Sequence, residues 1–120
     1  MEYKRPQIHV SYSKECERYV KDILAGIEEE GLFSYSYEEE DGNPIKAAYH
    51  AAESSLLGVG ITIMKYHVVL HVQDLKIDEP LLIMGVRDSS MLRIFGSNAA
   101  RYIKGVPFKL KQEYFCIPHR

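Results

Sequence analysis

Three consecutive carboxylates, Glu28, Glu29 and Glu30, are the residues of this sequence that local stability explains least. They close a stretch from Lys14 to Glu30 in which Tyr19, Val20, Ile23, Leu24 and Ile27 recur at helical spacing. They therefore fall in the last turn of a helix, where the macrodipole is negative and each carboxylate is disfavoured by about 0.3–1 kcal/mol. With Ile27 at 0° and about 100° per residue, Val20, Ile23 and Leu24 cluster within roughly 60° of it, while Glu29 falls near 200°. Glu29 thus points away from the core, and the three carboxylates fan across about 200°, too widely to cage a cation together. Glu29 alone can still give one oxygen to a hard metal ion completed by another subunit. A solvated acidic helix end is the plainer account of the same residues.

Other constellations are weaker. His67 and His71 share a strand face across Val69, a spacing that begins a metal site, yet no third ligand lies near them in sequence. Gly58-Val59-Gly60 contains a G-x-G but opens a strand instead of a helix, which fits close backbone packing better than a phosphate cradle. The first strand-to-helix turn, Tyr12-Ser13-Lys14-Glu15, has no glycine at all, so no phosphate loop is present there. Ser54-Ser55 and Ser89-Ser90 lack the G-x-S-x-G of a nucleophile elbow. Cys16 and Cys116 are isolated thiols with no C-x-x-C, which suggests neither zinc nor a disulfide framework.

The elements that must position these residues are legible from periodicity. Gln7 to Ser11 reads as a first strand after Pro6. Ser13 is placed to cap the long helix that follows, and Gly31 to end it. Phe33, Tyr35 and Tyr37 alternate with Ser34, Ser36 and Glu38 as a second strand, with Tyr37 either a core residue or an interface anchor. Asp41-Gly42 turns the chain, and Asn43 and Pro44 start a short alanine-rich helix, Ile45 to Ser54. Val59 to Met64 and Val68 to Val72 are β-branched runs separated by too few residues for a crossover helix, so they form an antiparallel hairpin. Leu81 to Met84 is a further strand. Ser89 or Ser90 opens a last helix to Gly105, with Gly96 a place for a kink, and Val106-Pro107-Phe108 breaks it. Tyr114, Phe115 and Ile117 are docking candidates on a tail, 109–120, expected to be flexible. The order β-α-β-α-β-β-β-α is that of an α/β domain with helices on both faces of a mixed sheet.

Composition narrows the function classes. The 120 residues suit one domain, and 15 Lys and Arg against 17 Asp and Glu give a net charge of −2, without the basic excess of a nucleic-acid or membrane-surface binder. The longest apolar stretch, Leu56 to Met64, is far below the ~20 residues of a membrane span. With no apolar signal core after Met1, a cytoplasmic location is expected.

Three stretches carry a family resemblance: Ile23-Leu24-Ala25-Gly26-Ile27-Glu28-Glu29-Glu30-Gly31, then Ala47 to Ser55 leading to Leu57-Gly58-Val59-Gly60-Ile61, and Asn98-Ala99-Ala100-Arg101-Tyr102-Ile103-Lys104-Gly105-Val106-Pro107-Phe108. Together, in this order, they resemble the small subunits of diol and glycerol dehydratase reactivating factors. The resemblance implies a three-layer α/β/α fold, like that of the dehydratase medium subunit, with a five-stranded mixed sheet containing one antiparallel strand. It implies a non-catalytic chain serving a coenzyme B12-dependent dehydratase, helping to exchange damaged cobalamin for intact adenosylcobalamin. ATP binding and hydrolysis would belong to a large partner subunit with an actin/Hsp70-like fold, in a heterotetramer of two large and two small subunits. The position matching the family's Mg²⁺-binding glutamate is Glu29, at the joint with the large subunit. Glu28, Glu30, Asn98 and Arg101 are the accompanying interface candidates, although helix-end stability also accounts for Arg101 and Lys104. The resemblance leaves open a diol or a glycerol dehydratase client and an association with a bacterial microcompartment. Two other readings remain: a medium-subunit-like component of the dehydratase itself, against which the short length argues, and a small metal- or ligand-binding enzyme built on the histidine hairpin.

Overall fold

The computed structural model describes residues 5–40 and 42–109. Asp41, Cys116 and the docking candidates Tyr114, Phe115 and Ile117 lie outside the described residues. Five strands form one sheet: β1 (Ile8–Tyr12), β2 (Ser34–Glu38), β3 (Val59–Met64), β4 (His67–Val72) and β5 (Leu82–Gly85), in the order β2-β1-β3-β4-β5. β1 pairs parallel with β2 and β3, whereas β4 runs antiparallel to both β3 and β5. The sheet therefore holds one antiparallel strand, as expected.

Strand parity sorts the side chains onto two faces. Ile8 and Val10 of β1, Val59, Ile61 and Ile63 of β3 and Val68, Leu70 and Val72 of β4 build the main core. Two helices cover it, α1 (Val20–Glu29) and α3 (Ser89–Lys104), contributing Ile23, Ile27, Met91, Leu92 and Phe95. On the opposite face lies α2 (Pro44–Ser54), whose buried side is all alanine: Ala47, Ala48, Ala51 and Ala52. That smallness lets the helix sit on the strands. A Cβ at Gly60 would overlap the backbone of Ala52 and Ala48, so close packing explains this glycine.

Several local expectations hold. Asn43 caps α2, its Oδ1 accepting from the amides of Ile45 at 3.0 Å and Lys46 at 3.1 Å, with Pro44 opening the helix. Gly31, at φ 83°, ends α1 in a Schellman motif, the Gly31 amide donating to Glu28 and the Leu32 amide to Ile27. Others do not. The expected single helix from Lys14 is two segments, a 3₁₀ stretch Lys14–Tyr19 and then α1, and the Ser13 side chain caps neither. The Ser13 amide is bonded to the Ile63 carbonyl of β3, and its carbonyl accepts from Cys16, so the first turn closes over three residues while it buries Cys16. The Asp88 side chain caps α3, accepting from the Met91 amide at 2.8 Å. Gly96 does not restart the helix. It lies within a continuous α3, where a Cβ would overlap the Ile23 carbonyl oxygen, as one at Gly26 would overlap that of Arg93. The two helices meet backbone to backbone.

Candidate functional site

The contact of α1 and α3 through Gly26 and Gly96 sets how the acidic end of α1 meets α3. Glu28 is exposed, and Glu29 remains within the helix, but Glu30 is its C-cap, at φ −92° and ψ 3°. The chain there leaves the helical progression, and the fan expected from 100° steps stops at Glu29. Glu30 turns onto α3, its side chain only 9% exposed. Its carboxylate accepts from Ser97 Oγ at 2.6 Å, Arg101 Nε at 2.9 Å and Lys104 Nζ at 2.9 Å. Lys104 Nζ also donates to the Glu30 backbone carbonyl at 2.9 Å, placing a cation on the negative end of α1. The Ser97 hydroxyl, then Lys104 and Arg101, hold the Glu30 carboxyl well below the usual carboxylate range, down to about 2.

Glu29 sits at the rim of the same cluster. Its carboxylate accepts from Arg93 Nε, and its second oxygen lies 3.6 Å from Lys109 Nζ. The bond from Arg93, reinforced by the charges of Arg93 and Lys109, holds its carboxyl below the ordinary value. Glu29 thus stays exposed, pointing away from the core as expected, with its carboxylate lying along the α1–α3 seam. Lys109 Nζ also lies 3.8 Å from Glu30 Oε2, so two carboxylates converge on one ammonium group. Asn98 positions that ammonium. Fully buried, it donates from Nδ2 to the Lys109 carbonyl at 2.8 Å and accepts from the Lys109 amide at 2.6 Å. Arg101 Nη1 adds a bond to the Pro107 carbonyl at 2.9 Å. Asn98 and Arg101 thus fasten the segment after α3 alongside the acidic residues.

Arg93, Ser97 and Lys109 were not foreseen as partners. The signal for the first two was the polar stripe Arg93, Ser97, Arg101 and Lys104 at helical spacing on an otherwise apolar helix. As a metal site, the cluster offers hard carboxylate oxygen, which suits Mg²⁺, and offers it best at Glu29 Oε1, whose charged neighbour, Lys109, lies 3.6 Å away, since Glu30 accepts three side-chain bonds. Among the described residues no group of three or more His, Cys, Asp or Glu is arranged to hold a metal ion. Any cation bound here would need most of its ligands from another chain.

The two hairpin histidines differ in setting. His71 is buried, with Nε2 3.0 Å from the Ile77 carbonyl and Nδ1 accepting from the Val72 amide at 2.9 Å, so both ring nitrogens are engaged. His67, at the exposed end of β4, has Nδ1 3.0 Å from the Lys65 carbonyl. Tyr37 is half-buried and shares a hydrogen bond with Ser11, which in turn bonds Thr62 at 2.6 Å. Burial, then the charge of Glu39, pushes the Tyr37 hydroxyl up. Among the described residues no helix is long and apolar enough to cross a membrane.

The chain resembles known proteins over most of its length. Residues 5–109 match the family described as dehydratase medium subunit. The chain is 35% identical over 108 residues to the propanediol dehydratase-reactivating factor small subunit of Salmonella typhimurium, covering 89% of this chain and 93% of that one. It is equally similar, at 35% over 108 residues, to the diol dehydratase-reactivating factor small subunit of Klebsiella michiganensis, covering 86% of its length. In three dimensions it matches a chain of a diol dehydratase-reactivating factor solved in complex with ADP and Mg²⁺, with TM-score 0.83, 34% identity and coverage of 89% of this chain and 100% of the other. A glycerol dehydratase reactivase chain also superimposes with TM-score 0.83, at 25% identity, over 88% of this chain and 98% of that chain. The chain thus belongs to the dehydratase medium subunit family, within which it is similar to the small subunits of dehydratase-reactivating factors.

Proposed function

We propose that this chain is the non-catalytic small subunit of a cytoplasmic, ATP-dependent reactivating factor for a coenzyme B12-dependent diol or glycerol dehydratase. The observation that carries this reading is likeness over nearly the whole length of reactivating-factor small subunits, 93% of the Salmonella typhimurium one at 35% identity. In this reading the chain covers a surface of a large ATPase subunit, in an assembly of two large and two small subunits. Kinship with the dehydratase medium subunit gives the exchange its physical basis, since two chains of one fold can compete for one surface. When the small subunit leaves, the large subunit takes hold of the dehydratase medium subunit, damaged cobalamin escapes and adenosylcobalamin replaces it. ATP binds the large subunit only.

The α1–α3 cluster is the surface offered to that partner. Glu29 would be this chain's residue for holding Mg²⁺ at the joint, and the ion would supply positive charge there to offset the carboxylate. Glu28, Glu30 and Arg101 frame the contact, and Asn98 holds Lys109 beside it. The test is co-purification of the tagged chain with the large subunit of a dehydratase reactivase, then recovery of a glycerol-inactivated dehydratase with ATP, Mg²⁺ and adenosylcobalamin. A stable complex that restores activity is expected. Co-purification with the dehydratase's own large subunit, and no restored activity, would instead make the chain an enzyme component.

A further inference from the structure

β2 is an edge strand whose outer side pairs with nothing among the described residues. In its parallel ladder to β1, the Phe33 carbonyl accepts from the Ile8 amide and the Glu39 amide donates to the Tyr12 carbonyl. Odd-numbered residues thus turn their backbone groups toward β1, leaving the amides and carbonyls of Ser34, Ser36 and Glu38 on the outer edge. Exposed edges are ordinarily guarded by proline, lysine or a bulge. This one, Ser-Tyr-Ser-Tyr-Glu, has none of them, and its pairing with β1 runs unbroken from Ser34 to Glu38.

The strand is complementary to itself. Laid antiparallel to a copy about Ser36, it puts Ser36 opposite Ser36 and Ser34 opposite Glu38, and these are the residues whose backbone groups face outward. Tyr35 then stands opposite the copy's Tyr37. Within one chain these rings already lie with centres 5.6 Å apart, tilted by 33°, with Tyr35 52% exposed, beside an open groove of about 330 Å³ lined by His9, Tyr35, Tyr37 and Ser54. Pairing extends this into a row of four tyrosines on one face, a favourable cross-strand arrangement. The charges choose the direction. Arg5 lies over the Phe33 ring, 4.7 Å from its centre, at one end of β2, and the acidic run Glu38-Glu39-Glu40 occupies the other. Antiparallel pairing brings Arg5 of each copy to the acidic run of the other, whereas parallel pairing sets acid against acid.

We propose that two copies of this chain associate through β2, antiparallel about Ser36, into a continuous ten-stranded sheet. One short edge buries little area, so the dissociation constant is on the order of tens of micromolar. Sedimentation velocity of the whole chain over a concentration series tests it. The wild type dimerises with concentration. Ser36→Pro removes an outward amide without touching the ladder to β1, and Ser36→Lys sets two ammonium groups across the axis; both are monomeric at an unchanged melting temperature. Ser36→Cys forms a cross-linked dimer under mild oxidation, above the wild-type background, because a hydrogen-bonded antiparallel pair sets Cα atoms about 5.5 Å apart. The lysine and cysteine variants decide the matter if the proline variant fails to fold. A wild type monomeric to several hundred micromolar overturns the proposal, as does a dimer that survives Ser36→Lys or leaves Ser36→Cys uncrosslinked. Loss of binding to the reactivase large subunit in Ser36→Lys, with a monomeric wild type, overturns it too and assigns the edge to that subunit.

Discussion

A carboxylate at the end of a helix faces the negative pole of its dipole, and Glu30 overcomes that cost with a serine hydroxyl, two charged donors from α3 and the nearby Lys109 ammonium. Its depressed pKa makes this a pH-dependent contribution. A carboxyl lowered to about 2 from its ordinary value of 4.5 stabilises the fold fully above that ordinary value, and the contribution fades as pH falls toward 2. Glu30→Gln should therefore lose roughly 1–2 kcal/mol at pH 7 in urea unfolding, and the gap from wild type should close between about pH 5 and pH 2. A gap that stays constant with pH would show that geometry, not charge, is what Glu30 supplies. Glu29 behaves differently, being more exposed and bound mainly to one side chain of α3. Glu29→Ala should leave the melting temperature unchanged and weaken the complex with the reactivase large subunit in Mg²⁺ by about tenfold or more by titration calorimetry. Unchanged affinity removes Glu29 from the joint.

The α1–α3 crossing makes Gly96→Ala a severe change for one methyl group, because the new Cβ meets a carbonyl of the facing helix and no flexible side chain can yield. A loss of about 2–3 kcal/mol or more in urea unfolding is expected. In the β3–β4 hairpin the turn residues Lys65 and Tyr66 have φ of 52° and 59°, a left-handed pair that side-chain-bearing residues adopt at a cost. Lys65→Asn should raise stability by about 0.5–1 kcal/mol, seen as a higher melting temperature, since asparagine tolerates that conformation. These elements differ in how plainly the sequence announced them. The caps at Asn43 and Gly31 and the alternation of Phe33, Tyr35 and Tyr37 are local signals and were legible. The 3₁₀ stretch was not, because Tyr19 and Val20 fit helical spacing whether the first turn closes over three residues or four. Nor was the orientation of Glu30, because a C-cap departs from the angular progression on which the reading rested. The lysine turn carries no glycine or Asn-Gly signal, so only its shortness pointed to it.

At the scale of the molecule, the mixed sheet places two separate surfaces on one chain, the charged seam of α1 and α3 and the open edge of β2. They should fail independently: Ser36→Lys should abolish self-association while retaining Mg²⁺-dependent binding to the large subunit, and Glu29→Ala should do the reverse. A pull-down alongside sedimentation reads both. Neither surface was fully visible in the sequence. The acidic run was, but its partners Arg93, Ser97 and Lys109 became neighbours only when α3 crossed α1, and β2 became an edge only through the strand order. The meeting of Gly26 and Gly96 has an evolutionary corollary. The spacing of the ionic seam is set by two methyl groups the chain does not have, so neither glycine is free to drift alone. A lineage accepting alanine at either one would have to part its helices, and would lose the registration of Glu29 and Glu30 with their partners while the sheet beneath still folded.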